Sequence, residues 1–159
     1  MNKRAILKKI TAKLMEELEV YLRAAQFSRA EATHEQNKAE SKYDTRGLEA
    51  SYLARGQSRQ AAELETAIYE FGKLTVRKFA DDEAINPGAL VKLEQGGETS
   101  YYYLGPRAGG TEIIHDKHEI FVITPHSPIG EQLVGKKAGQ SVQLKLGKEI
   151  RLAKIVAVE

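Results

Sequence analysis

The stretch LMEELEVYLRAAQFSRAEA, residues 14–32, decides the fold. Leu14, Leu18, Tyr21, Ala25, Ser28 and Ala32 recur at alternating spacings of three and four, the period of a helix that buries one stripe against another helix. A partner stripe lies in LARGQSRQAAELETAIYEFGKL, residues 53–74, where Leu53, Gln57, Gln60 or Ala61, Leu64, Ile68, Phe71 and Leu74 follow the same rule. Two helices that pack antiparallel bring together positions whose numbers add to a nearly constant total. Leu14 with Leu74, Leu18 with Phe71, Tyr21 with Ile68, Ala25 with Leu64 and Ala32 with Gln57 all total 88 or 89. A hairpin turning near Asp44 and Thr45 is therefore expected, and sliding one helix by a seam step moves that centre by about half a heptad. Ser41, Asp44 and Thr45 are suitable N-caps for the second helix, and Gly47 tolerates a tight reversal.

Outward from this pair, residues 2 to 80 lack proline, contain little glycine, and are dominated by Ala, Leu, Glu, Lys, Arg and Gln, which favour helix. Each arm of roughly 36 residues would reach on the order of 55 Å at the helical rise. The seam thins toward the turn, where Ala32, Gln36 and Gln57 replace larger apolar residues, so little apolar burial holds that end. Such a polar end suits a segment that probes a partner, and an ordinary dimerising or linking coiled coil is the plain alternative.

The pattern changes after residue 80. DDEAINPGAL, residues 81–90, carries acids, a proline and a glycine and reads as a linker ending in a turn. Beyond it, ALVKLEQ, SYYYLGP, TEIIHDKHEIFVITP, SVQLKL and EIRLAKIVAVE are strand-like runs rich in Val, Ile, Leu and Tyr, separated by glycine-bearing turns. One short helix interrupts them: Ser127 suits an N-cap, Pro128 the first helical position, Ile129, Leu133 and Val134 an apolar side, and Gly135 a C-terminal stop. The expectation is an α+β chain, with an antiparallel coiled-coil hairpin over 1–80 and an antiparallel sheet of about five strands with one helix over 81–159.

Composition narrows the chemistry. The 159 residues carry 24 basic and 22 acidic side chains, net +2, mixed along the chain. That gives no concentrated basic face for nucleic acid, so a protein partner is expected. There is no cysteine, hence no disulfide framework and no thiolate zinc site. No stretch approaches the roughly 20 apolar residues that span a bilayer, and a soluble, cytoplasmic protein without membrane contact is the expectation.

The segment YYYLGP, residues 101–106, followed by ITPHSPIGEQLVGKKAGQSVQL, residues 123–144, resembles the carboxy-terminal signature of the GreA/GreB transcription elongation factors. That family's pattern is Ser-Pro-Leu-Gly-x-x-Leu-Leu-Gly-x-x-x-Gly-x-x-Val. Ser127, Pro128, Ile129, Gly130, Leu133, Val134, Gly135, Gly139 and Val142 stand at the matching places. The order of hairpin and then FKBP-like sheet domain is also similar to the family, so the resemblance spans essentially the whole chain. It implies a factor without a cofactor or catalytic centre of its own, and the intramolecular hairpin leads one to expect a monomer. The sheet domain would dock on bacterial RNA polymerase through Ser127, Pro128, Ile129, Gly130 and Leu133, while the hairpin enters the secondary channel and comes near backtracked RNA. Those five residues equally suit a tight turn and helix with no docking role.

The resemblance also implies a role for carboxylates at the turn. In cleavage-stimulating family members two of them help hold a magnesium ion in the polymerase active site, within a tip that usually reads Gly-Asp-Leu-Ser-Glu-Asn-Ala-Glu-Tyr. This chain has KYDTRGLEASYLA, residues 42–54. Alignment on Tyr52 puts Thr45 and Leu48 under the two carboxylates, whereas alignment on Asp44 leaves Glu49 as the next acid. Residues five apart on a helix diverge by about 140°, against about 60° for residues three apart, so the usual geometry is not preserved. Asp44 with Glu49 is the candidate pair for polymerase magnesium, and Glu40 with Asp44 a second. Asp44 equally suits a helix cap, and Glu49 a solvated acid beside Arg46. The readings left open are cleavage stimulation, an inhibitory or regulatory channel factor, and a coiled-coil adaptor or chaperone-like protein unrelated to polymerase.

Other constellations are weaker. His115 and His118, read as one strand, would point to opposite faces without a third metal ligand. Tyr101, Tyr102 and Tyr103 suit a partly buried strand more than an aromatic binding surface. Prolyl isomerisation is not expected, because fold likeness alone carries no site. No nucleophile with its base, phosphate-binding loop or nucleotide fingerprint is present.

Overall fold

The computed structural model describes residues 1–34, 45–80, 82–146 and 149–159. Asn2 opens the first helix, its Oδ1 accepting from the Ala5 N–H at 3.2 Å and so satisfying one of the donors that a helix start leaves unpaired. Helix α1 runs Lys3–Thr33 and α2 Arg46–Gly72, as the proline-free composition leads one to expect. By packing, the chain forms two compact units, residues 14–68 and residues 1–13 with 69–159. This boundary falls inside both helices, whereas composition changes at residue 80.

In the unit of residues 14–68, α1 and α2 run antiparallel. Ser28 Oγ donates to Gln57 Oε1 at 2.9 Å, and further along α1, Ala32 and Thr33 share a surface hollow with Ser51 and Ala54 from earlier in α2. The buried residues are Leu14, Ala25, Ser28, Ala54, Ala61 and Ala67, with Leu18, Leu64 and Ile68 half-buried. Two expectations are corrected here. Ser28, and not Ala32, meets Gln57, so the paired positions total 85 instead of 88 or 89, a shift of one seam step. Leu53 is 56% exposed and Tyr21 36%, so both lie on the flank, and Ala54 takes the place expected for Leu53. The physical reason is the polar pair. In the observed register the buried Ser28 hydroxyl finds an acceptor in Gln57, and the small side chains of Ala25, Ala54 and Ala61 fill the space between the helices.

The second unit is built on strands β1 (Leu90–Gln95), β2 (Glu98–Leu104), β3 (Glu112–His115), β4 (His118–Ile123), β5 (Ser141–Leu146) and β6 (Glu149–Val158), with the short helix α3 (Pro128–Leu133) between β4 and β5. Their order across the sheet is β3-β4-β2-β1-β6-β5. All neighbours are antiparallel except β2 and β4, which run parallel with Tyr101 beside Ile120. The sheet is thus mixed and six-stranded, where about five antiparallel strands were expected. The route of the chain explains it: β3 takes the outer edge, and its hairpin returns β4 into the gap beside β2, in the direction of β2.

Alternation along β2 assigns the two faces. Leu104 joins Val91, Leu93, Ile123, Leu133, Val142, Leu144, Ala153 and Ile155 in one core, with Phe79, Ile85 and Ala89 from the segment before β1, and Tyr102 packs against it. Tyr101 and Tyr103 point the other way and are buried there. On that side Phe71 lies against Tyr103 with ring centres 6.4 Å apart, and Lys9 Nζ donates to the Ile114 carbonyl at 2.8 Å. Both faces are covered, which is why all three tyrosines of the run are at least partly buried.

Burial pushes the Tyr103 hydroxyl up to about 12, because the charged phenolate would lose its hydration. The folded chain therefore holds this proton more tightly than an unfolded chain, whose phenol titrates near 10.0. The resulting stabilisation is complete below the lower value and is lost as pH rises toward the upper one. Tyr103→Phe is expected to flatten that alkaline decline, measured as the urea midpoint at pH values across this window; an unchanged decline would contradict it.

Candidate functional site

Two regions carry the residues singled out by sequence. The first is the start of α2. Thr45 stands just before it: the Thr45 carbonyl accepts from the Glu49 N–H at 2.9 Å, and Thr45 Oγ1 donates to Glu49 Oε1 at 2.8 Å. Both residues are exposed. Of the three candidate caps, only Thr45 is among the described residues, and its hydroxyl bonds the Glu49 carboxylate and not a backbone N–H. Asp44, Glu40 and Ser41 lie outside the described residues, so the proposed pairing of Asp44 with Glu49 does too. Glu49 alone fits a magnesium ligand by chemistry and access, as an oxygen donor in solvent, but one of its oxygens already accepts from Thr45. Sequence reasoning passed over the flank beside it. A groove of about 590 Å³ is lined there by Phe27, Ser28, Glu31, Arg46, Glu49 and Leu53, among others, and Phe27 is 69% exposed. The available signal was that Phe27 falls out of phase with the seam.

The second region is the turn from Thr124 into α3. The Thr124 carbonyl accepts from the Ser127 N–H at 3.0 Å and from Ser127 Oγ at 2.8 Å. The same Oγ accepts from the Gly130 N–H at 3.1 Å, which makes Ser127 the N-cap ahead of Pro128 at the first helical position. Gly130 is required by close approach: a Cβ there would sit 1.8 Å from the Thr124 carbonyl oxygen. Leu133 is fully buried in the core, and Ile129 packs on its edge. After the helix, Gly135 adopts φ 80° and donates to the Ile85 carbonyl at 3.0 Å, the stop expected from sequence. The five residues therefore divide. Ser127, Gly130 and Leu133 build the turn from within, whereas Pro128 and part of Ile129 meet solvent. Val134, 39% exposed, adds an apolar side chain that sequence reading assigned to the buried side.

The HDKH reading is corrected. His115 and His118 are not on one strand but face each other across the β3–β4 hairpin, and residues paired across strands share a sheet face. Asp116 and Lys117 form the two-residue turn with φ of 50° and 66°, a conformation usually signalled by Asn-Gly, which is why the sequence looked continuous. His118 lies against the Tyr101 ring at 4.8 Å. The His115 ring is buried, with Nε2 3.2 Å from Asp116 Oδ2 but without hydrogen-bond alignment. Among the described residues, no three His, Cys, Asp or Glu are placed to hold a metal ion.

Residues 80–159 match the family model for the C-terminal domain of transcription elongation factors GreA/GreB. The chain belongs to the GreA/GreB family. Among solved structures it is similar to GreA factor homolog 1 of Thermus thermophilus, with 22% identity over 94% of each chain and a TM-score of 0.40. For GreA factor homolog 1 of Thermus aquaticus the figures are 23% identity, 95% of this chain, 94% of that one and 0.42. For the GreA/GreB elongation factor of Nitrosomonas europaea they are 19%, 60%, 78% and 0.35. No curated sequence matches the chain. The GreA/GreB match contains the whole Thr124–Gly135 region, so the residues that close the turn, Ser127, Gly130, Leu133 and Gly135, all lie within it. None of the described helices is long and apolar enough to cross a membrane.

Because the Thr124 carbonyl is pinned by two bonds from Ser127, it cannot retreat from an added methyl. Gly130→Ala is expected to cost at least about 2 kcal/mol, measured by urea denaturation; a variant as stable as the native chain would contradict the geometry.

Proposed function

We propose that this chain acts on RNA polymerase, entering the secondary channel to modulate backtracked complexes. The observation that carries this reading is the family match over residues 80–159. The sheet domain docks on the channel rim through the open side of the α3 turn, where Pro128, the exposed part of Ile129 and Val134 meet solvent. Ser127, Gly130 and Leu133 hold the backbone that presents them. The helical hairpin, residues 1–80 by composition, enters the channel as part of a monomer and comes close to the displaced RNA. The chain has no reaction centre and no cofactor of its own; the polymerase performs the hydrolysis. Asp44 and Glu49 are the carboxylates offered to the polymerase magnesium, which activates the attacking water and steadies the leaving oxygen when bound.

One observation favours a second reading. Glu49 accepts from Thr45, the residue before its helix, at 2.8 Å, so one of its oxygens is already engaged, and its five-residue separation from Asp44 in sequence departs from the three-residue spacing of cleavage-stimulating relatives. A factor so built would occupy the channel and regulate without adding metal ligands. Both readings predict co-purification with core polymerase and competition with GreB; absence of both would favour a coiled-coil adaptor of another client.

The deciding experiment is transcript cleavage by backtracked complexes. With tip carboxylates in play, the native chain accelerates cleavage, and Asp44→Ala with Glu49→Ala lowers the rate at least about tenfold, the scale of about 1.4 kcal/mol in the barrier. No acceleration by the native chain, or an unaffected double variant, sinks the carboxylate role and leaves the regulatory one.

A further inference from the structure

A cavity of about 450 Å³ opens where the first residues of α1 meet residues 76–79 and the end of β6. All of these segments belong to one compact unit. Among the described residues its wall carries four basic side chains, Lys3, Arg4, Arg77 and Lys78, and one acidic side chain, Glu159. A second carboxylate, Glu83, pairs with Arg77 at 2.6 Å. Glu159 is itself engaged by the Met1 amino group.

Lys3 is the unusual member. It is only 8% exposed, although lysine is almost never buried without a charged partner. Its ammonium has three protons to donate. Among the described residues the acceptor it reaches is the Gly88 carbonyl, at a long 3.4 Å, and it otherwise sits over the Phe79 ring at 4.6 Å from the centroid. The Arg77 guanidinium stacks on the same ring at 4.0 Å. Two cations thus share one aromatic ring beside a cavity large enough for a small molecule. Burial, and next the charge of Arg77, push the Lys3 pKa below its ordinary value, with Glu159 and Glu83 opposing. Both leading effects would be offset by negative charge in the cavity.

We propose that this cavity binds a small phosphate-bearing anion, up to about a mononucleotide in size. A phosphate group brings up to two charges and three acceptor oxygens, enough to serve the Lys3 ammonium and the guanidinium of Arg4 together, for which planar arginine is well shaped. The carboxylates already present, Glu83 and Glu159, are committed to Arg77 and Met1 and do not complete the coordination of Lys3. This inference is independent of the polymerase reading, since none of these residues belongs to the α3 turn or to the start of α2.

The test is calorimetric titration of the full chain at low ionic strength with inorganic pyrophosphate, with AMP, and with citrate as a multivalent anion lacking phosphorus. Saturable one-to-one binding of pyrophosphate or AMP is expected, with citrate at least about tenfold weaker. Preference between the first two separates an inorganic from a nucleotide ligand. Lys3→Gln should weaken binding at least about tenfold, as should Arg4→Gln, whose exposed position leaves folding intact, while Lys117→Gln, in the turn of the β3–β4 hairpin at the other side of the sheet from β6, should not. No saturable binding of either phosphate, citrate binding as tightly, or Lys3→Gln and Arg4→Gln both binding like the native chain would each overturn the proposal.

Discussion

The packing of α1 against α2 along a seam rich in small side chains is the constraint on which the rest depends. Ala25, Ser28, Ala54, Ala61 and Ala67 are buried between residues 14 and 68, and an alanine contributes little apolar area on its own. Such a seam is held by density of contact and by a polar bond within it, from Ser28 to Gln57. That bond also fixes register, because a slip of one step would bury two polar groups without partners, at a cost of about 1–3 kcal/mol each. Antiparallel pairing in turn returns residues 69–80 to the same compact unit as residues 1–13. There Phe71 and Lys9 cover the sheet face that carries Tyr101 and Tyr103.

The sheet unit is constrained differently. Its α3 turn combines a doubly accepting Thr124 carbonyl, a serine that both donates and accepts, and a glycine pressed against the peptide behind it. Of the positions that match the GreA/GreB signature, Ser127, Gly130, Leu133 and Gly135 are thus needed for the backbone to close. Pro128 and Val134, which match it as well, are open to solvent while Leu133 is not. One short signature therefore both closes the turn and leaves two apolar side chains on its outside.

Much of this was legible in the sequence because it is local. Helical composition, the Ser127 cap, Pro128 at the first turn and the left-handed Gly135 all follow from rules acting over a few residues. The features that were missed depend on long-range pairing or on unusual local choices. Leu53 and Ala54 are adjacent, so both register choices satisfy the heptad pattern, and only the Ser28–Gln57 bond separates them. The parallel pairing of β2 with β4 leaves no trace in either strand's alternation. The Asp116–Lys117 turn lacks glycine, so HDKH read as continuous strand. The Lys3 cavity gathers residues 3, 4, 77 and 159, which no window of sequence connects. At the candidate catalytic tip the sequence offered Asp44 and Glu49; Glu49 is accounted for by its bond to Thr45, and Asp44 lies outside the described residues.

The chain has no native cysteine, which allows the seam to be read by paired cysteine substitutions. In the register set by Ser28 and Gln57, Ala25 faces Ala61; in the register expected from leucine spacing alone it faces Leu64. A disulfide closes readily only when the two Cβ atoms lie about 3.5–4.5 Å apart. The account predicts that Ala25→Cys with Ala61→Cys closes rapidly within one molecule, and faster than Ala25→Cys with Leu64→Cys. Faster closure of the second pair, or disulfides formed only between molecules, would contradict it.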